Sequence, residues 1–248
     1  MKIAGLLCTK DYTDECSVFE TLKELTDFVI VLDNNSKTRF PYADQCDEYI
    51  VLNCDQWEDF GNRVTLFYRA FVHQCKWAVT LDDDMIPGAS FSVRQDVVDV
   101  INRLKNADAE VALFMLRALC KKEGGVYHRY TYGGGDGGLF SVVNKNPFYK
   151  KNISMLDPQE NRLHRRPDCF PYSSSVKMRD LTVYHAGSST PEKRLARYNR
   201  YQNELDSDNK FQGSYENLIS EENKMVDLID EIDRDKVGLK WSYTNGTD

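Results

Sequence analysis

The chain has 248 residues, is 41% hydrophobic and 29% charged, and carries a formal net charge of −7. That apolar content over that length buries a real core, which excludes a disordered or low-complexity chain. No apolar run approaches membrane-spanning length, the N-terminus is too short for a secretory leader, and the seven cysteines form no Cys-x-x-Cys pair, so reduced thiols in a cytoplasmic protein without a membrane segment are expected.

In chain order, residues 3–8 read as a buried strand closed by Thr9-Lys10. Residues 16–27 place Val18, Phe19, Leu22 and Leu25 at helical spacing. Residues 28–32 form a second strand, stopped by Asp33-Asn34-Asn35-Ser36, which are strong turn formers. A strand at 49–52, a helix at 62–74 with Arg63 near its start, and a strand at 76–81 follow. This alternation predicts α/β architecture: a Rossmann-like, mixed, mostly parallel sheet with helices on both faces.

A helix at 92–105 and a strand at 111–119 come next, then an aromatic stretch at 127–132 and Gly133-Gly134-Gly135-Asp136-Gly137-Gly138. No Lys-Ser/Thr follows these glycines, so they are a flexible loop or a hairpin tip, not a phosphate loop. Strands are expected at 138–143 and 181–185, and helices starting at Asp157 and Thr190. Residues 216–238 carry Leu218, Met225, Leu228, Ile229 and Ile232 at helical spacing, a docking helix or a homodimer contact.

The chemistry concentrates at Leu81-Asp82-Asp83-Asp84-Met85-Ile86-Pro87. A short apolar run that ends in three carboxylates is a strand ending at an acidic edge, and ligands of open α/β sheets bind beyond such ends. Adjacent carboxylates repel unless something positive is present. A hard divalent cation, Mg²⁺ or Mn²⁺, suits an all-oxygen site. Continued strand alternation would put Asp82 and Asp84 on one side and Asp83 on the other. An acidic surface turn is the alternative.

Five stretches, in order, resemble GT-A-fold glycosyltransferases, most like the family 2 type, over residues 3–190. They are the opening strand with Thr9-Lys10, Val29-Ile30-Val31-Leu32-Asp33-Asn34-Asn35-Ser36, the triple-aspartate stretch, Gly137-Gly138-Leu139-Phe140 with Asn146-Pro147-Phe148, and Val183-Tyr184-His185-Ala186-Gly187-Ser188. The resemblance implies a single domain with a nucleotide-sugar half at 1–90, an acceptor half at 91–190 and a helical extension at 191–248. It implies a nucleotide-sugar donor, a UDP-sugar first among them, and a cation held by Asp84, with Asp82 reaching the metal or the ribose and His185 returning to the same metal. Asp33 resembles the residue that accepts from the donor's base. Thr9, Lys10, Arg63 and Asp83 complete the expected donor site, and Arg63 is favoured over Arg69 for the diphosphate.

An inverting transfer needs a carboxylate to take the acceptor's proton. The family offers a Glu-Asp pair upstream of its closing histidine; here that register holds Glu160-Asn161. Asp168, kept ionised by Arg165 and Arg166, is preferred over Glu160. Residues 145–200 carry an excess of Lys and Arg inside an acidic chain, interleaved with Phe148, Tyr149, Phe170 and Tyr172. Basic charge beside stacking rings suits a nucleic-acid acceptor. A similar soluble type, the TET/JBP-associated enzymes, glycosylates hydroxymethylated bases in viral DNA. A glycan or protein acceptor is the rival. A nucleotidyltransferase or a non-catalytic binding module are the readings from other classes.

Overall fold

The structure, a computed structural model, describes residues 1–14, 16–53, 59–122, 125–130, 138–150 and 174–187, isolated positions between 192 and 199, and residues 226–228. In order, β1 (Ile3–Thr9), α1 (Val18–Leu25), β2 (Phe28–Asp33), β3 (Glu48–Val51), α2 (Asp59–Val72) and β4 (Trp77–Asp82) build the first half. There follow β5 (Met85–Pro87), α3 (Arg94–Asn106), β6 (Val111–Lys122), β7 (Gly125–Tyr130), β8 (Gly138–Lys145), β9 (Ser175–His185) and β10 (Val226–Leu228).

All ten strands belong to one mixed sheet, with β10-β7-β6-β8-β4-β1-β2-β3 in line and β9 pairing both β5 and β6. β1 lies between β2 and β4, parallel to both, and β3 extends β2 in parallel. The half beyond β4 is antiparallel except for the β6–β9 pairing. The mixed α/β sheet expected from the sequence is what forms.

Strand alternation decides which helix covers which face. Ile3 and Leu7 of β1, Val29 and Val31 of β2, and Val79 and Leu81 of β4 face α1 and α3 with Phe19, Leu22, Val97 and Ile101. The intervening Ala4, Leu6, Cys8, Ile30, Leu32 and Ala78 face α2 with Leu66, Phe67 and Ala70. Both faces of the first half are therefore apolar and covered, as a parallel sheet requires. Helices α1 and α2 return the chain so that β1, β2 and β4 end at the same edge, with the start of α2 beside it.

β4 and β9 are linked by a detail too short for sequence periodicity to reveal. After Asp82 the chain turns through Asp83-Asp84, then runs three residues as β5, antiparallel to the end of β9: Met85 opposite His185, Ile86 opposite Tyr184, Pro87 opposite Val183. The Ala186 amide donates to the Asp84 carbonyl at 2.7 Å. This places His185 against the aspartates although it is far away in sequence.

Two expectations change. The alternation that would align Asp82 with Asp84 stops, because Asp83 and Asp84 lie in a turn and not in a strand. Within the stretch 216–238, expected as a helix, the described residues Val226–Leu228 form β10, antiparallel to β7. The open edge of β7 supplies backbone partners, and tertiary pairing overrides local periodicity. After Thr190, Glu192, Lys193, Leu195, Ala196 and Asn199 are helical, as expected. Among the described residues, no helix is long and apolar enough to cross a membrane.

Candidate active site

In the strand order β3-β2-β1-β4 the chain leaves β1 for β2 on one side and crosses back from β3 through α2 to β4 on the other, which makes the crevice beyond the carboxyl ends of β1 and β4 the ligand position of an open α/β sheet. The three aspartates arrive there, and each meets a different element.

Asp82, the last residue of β4, forms an ion pair through Oδ1 with Nη2 of Arg63. Arg63 lies in the first turns of α2 and is 4% exposed. A buried guanidinium needs a carboxylate beside it, and this one is supplied from the next strand. Asp83 turns toward β1, where the buried Thr9 hydroxyl donates to its Oδ2 at 2.7 Å. Burial and the neighbouring Asp84 push the Asp83 carboxyl up to about 7, with the Thr9 hydroxyl pulling the other way. Asp84 meets β9: its Oδ2 lies 3.1 Å from His185 Nε2.

Gly187 leaves the space this third pair needs. A Cβ at that position would stand 2.1 Å from Asp84 Oδ2 and 2.9 Å from His185 Cε1. The contact is that of a direct ion pair; two ligands at right angles on a cation with bonds of about 2.1 Å also lie about 3 Å apart, so the same spacing fits a Mg²⁺- or Mn²⁺-sized ion, for which the Asp84 carboxylate is a suitable oxygen donor. Among the described residues, no three Asp, Glu, His or Cys side chains converge on one point. Asp82, expected to reach the metal or the ribose, pairs with Arg63 through Oδ1.

Asp33 ends β2 at the same edge and is buried. Its Oδ2 accepts from the Tyr49 hydroxyl at 2.6 Å and its Oδ1 from the Ser36 amide at 2.9 Å. The second bond is the turn cap that Asp-Asn-Asn-Ser favours. Burial and the carboxylate together push the Tyr49 phenol up to about 12, so it stays a donor. The turn is held to β1 by Asn34 N on the Thr9 carbonyl at 2.9 Å, and to the loop that follows β1 by Asp11 N on Ser36 Oγ at 2.7 Å. Asn62, beside Arg63 on α2, donates through Nδ2 to Asn34 Oδ1 at 3.3 Å.

The structure therefore brings Thr9, Asp33, Arg63, Asp82, Asp83, Asp84 and His185 to one edge, with Lys10 following Thr9 there. Arg69 stands two turns further along α2, where its Nε donates to Glu48 Oε1 at 2.6 Å, away from the crevice. Glu160, Asp168 and residues 133–137 of the glycine-rich loop lie outside the described residues. Sequence reading missed Tyr49, Asn34 and Asn62. The two asparagines carry a signal, since buried amides next to a strand end need partners, but nothing local says which.

No protein-family model matches this sequence, and no curated protein matches it. Among solved structures, S. aureus TarS 1-349 superposes at a TM-score of 0.50, with 12% identity, over 88% of this chain and 69% of that one. The same protein in complex with UDP gives 0.50 at 11% identity over 89% and 70%. A CMP:2-keto-3-deoxy-manno-octonic acid synthetase complexed with CTP overlaps 59% of this chain and 75% of its own at a TM-score of 0.34 and 10% identity. At these identities the likeness to TarS shows a shared fold.

Proposed function

We propose that this chain is a glycosyltransferase that moves a sugar from a nucleotide-sugar donor to a hydroxyl acceptor with the help of a divalent cation. One observation carries the reading: three consecutive aspartates at the end of β4 are each met by a different element, Arg63 of α2, Thr9 of β1 and His185 of β9. A raised carboxyl among neighbouring carboxylates marks a place built to receive positive charge.

Roles follow from position. Asp84 and His185 would hold the cation. When bound, it supplies charge that offsets the diphosphate as the sugar–phosphate bond breaks. Arg63 and Lys10 line the same edge with positive charge, Arg63 fixed by Asp82. The turn at Asp33 seats the nucleoside end, with Asp33 acting first as the brace of that turn. The UDP complex of TarS supports a uridine diphosphate donor as the first to try. For the acceptor proton, Asp168 is the proposed base and Glu160 its rival, in an inverting transfer. The acceptor proposed from the basic, aromatic-rich stretch at 145–200 is a hydroxymethylated base in DNA; a glycan or protein hydroxyl is the second choice.

Calorimetric titration with UDP, with and without Mn²⁺, tests the donor site. The expected result is binding strengthened at least tenfold by Mn²⁺ and returned to the metal-free value by Asp84→Asn. Transfer assays with a panel of hydroxymethylated oligonucleotides and free saccharides then assign the acceptor. Absence of nucleotide diphosphate binding, or turnover undiminished in EDTA, overturns the reading.

A further inference from the structure

Around Arg63, the edge is held by a buried amide pair that no charge pattern explains. Asn62 and Asn34 are each 1% exposed, and Arg63, next to Asn62 on α2, is 4% exposed. Asn62 Nδ2 donates to Asn34 Oδ1 at 3.3 Å across 28 residues of sequence. Asn34 is anchored in turn by its own amide on the Thr9 carbonyl. The first turns of α2 are thus tied to the turn after β2, and through it to the end of β1.

We propose that Asn62, acting with Asn34, is a positioning residue for Arg63, which presets the guanidinium for a nucleotide diphosphate. This rests on the donor reading given above. The reasoning is local. The opening amides of a helix lack intrahelical partners, so its first turn loosens unless side chains hold it. Arg63 sits in that part of α2, and its long side chain has many rotamers to lose. With α2 latched to the β2 turn, the guanidinium is held against Asp82 before any ligand arrives, and the ordering cost is met on folding instead of on binding. Without the latch, the start of α2 and the β2 turn move independently. Arg63 then reaches the diphosphate only from a minor arrangement, and apparent affinity falls by the fraction of molecules that hold it.

A double-mutant cycle tests this. UDP binding with Mn²⁺ is measured for the full chain, Asn62→Ala, Arg63→Met and Asn62→Ala/Arg63→Met, with inorganic pyrophosphate as a probe that lacks base and ribose. The thermal midpoint of each variant is recorded. Asn62→Ala is expected to weaken both ligands about tenfold, and Arg63→Met at least as much. The double variant should be no weaker than Arg63→Met, because Asn62 works through Arg63. Asn34→Ala removes the other half of the bond without altering α2 and should match Asn62→Ala. If the two losses simply add, or if Asn62→Ala and Asn34→Ala bind like wild type in their folded state, the positioning role is overturned while the donor reading stands. If the unaltered chain binds neither UDP nor pyrophosphate, the donor reading fails and this role with it.

Discussion

At the residue scale, Gly187 tests the pairing of Asp84 with His185 without touching either. A methyl there would collide with the Asp84 carboxylate at 2.1 Å, and the short aspartate side chain must rotate away to admit it. Gly187→Ala is therefore expected to keep the fold, with a thermal midpoint within a few degrees of wild type, while the Mn²⁺-dependent part of UDP binding falls at least tenfold. A variant that binds Mn²⁺ and UDP normally would show that Asp84 and His185 need not converge. The three aspartates themselves are legible in the sequence, since a strand that ends in acids is recognisable from composition alone. Their partners are not. Thr9 is 74 residues from Asp83 and Arg63 is 19 residues from Asp82, and nothing local marks a hydroxyl or a guanidinium as the group that will meet a given carboxylate.

At the element scale, the long periodic segments are legible and the short ones are not. α1, α2, α3 and the strands of the first half carry enough apolar residues at a fixed period to declare themselves. β5 has three residues and β10 has three, too few for any period, and both exist because another strand offers an open backbone. Between elements, a single carboxylate joins the start of the first strand to the third helix. Asp27 Oδ2 accepts from Ile3 N and from Arg94 Nη2, each at 3.0 Å, and Oδ1 accepts from Arg94 Nε at 2.6 Å. Burial works against the ionised carboxylate here, but the bonds from Arg94 and the Ile3 amide outweigh it and hold its pKa below the usual value. A depressed carboxylate stabilises the folded state above the ordinary aspartate range, and that contribution is lost as pH falls through the folded value. Asp27→Asn should cost about 0.5–1.5 kcal/mol at pH 7, a modest figure because the pair is partly solvated. Urea unfolding at a series of pH values should show the difference shrinking below pH about 4, the aspartate range. A deficit that stays constant down to strongly acidic pH would mean that the carboxylate charge is not what joins these elements.

At the scale of the whole molecule, the sheet has two halves with different grammars, and the candidate site is where they meet. The half from β3 to β4 is parallel, with β2, β1 and β4 buried on both faces, and is readable as alternating strands and helices. The half beyond β4 is mostly antiparallel, and the stretch 151–173, with Glu160 and Asp168, lies outside the described residues. β5 couples the halves: it continues from the aspartates of β4 and pairs with β9, which also pairs with β6. A ligand that touches only the parallel half should therefore protect only that half, whereas a cation bridging Asp84 and His185 should fasten one half to the other. Backbone hydrogen exchange distinguishes the two cases, because protection reports the free energy of local opening. UDP alone is expected to slow exchange at the ends of β1 and β2 and at the start of α2. UDP with Mn²⁺ should add protection in β5 and at the end of β9. His185→Ala should remove this second component and leave the first unchanged, since the histidine makes no part of the nucleoside end. Protection of β9 by UDP without metal, or its persistence in His185→Ala, would place the link between the halves elsewhere than at Asp84 and His185.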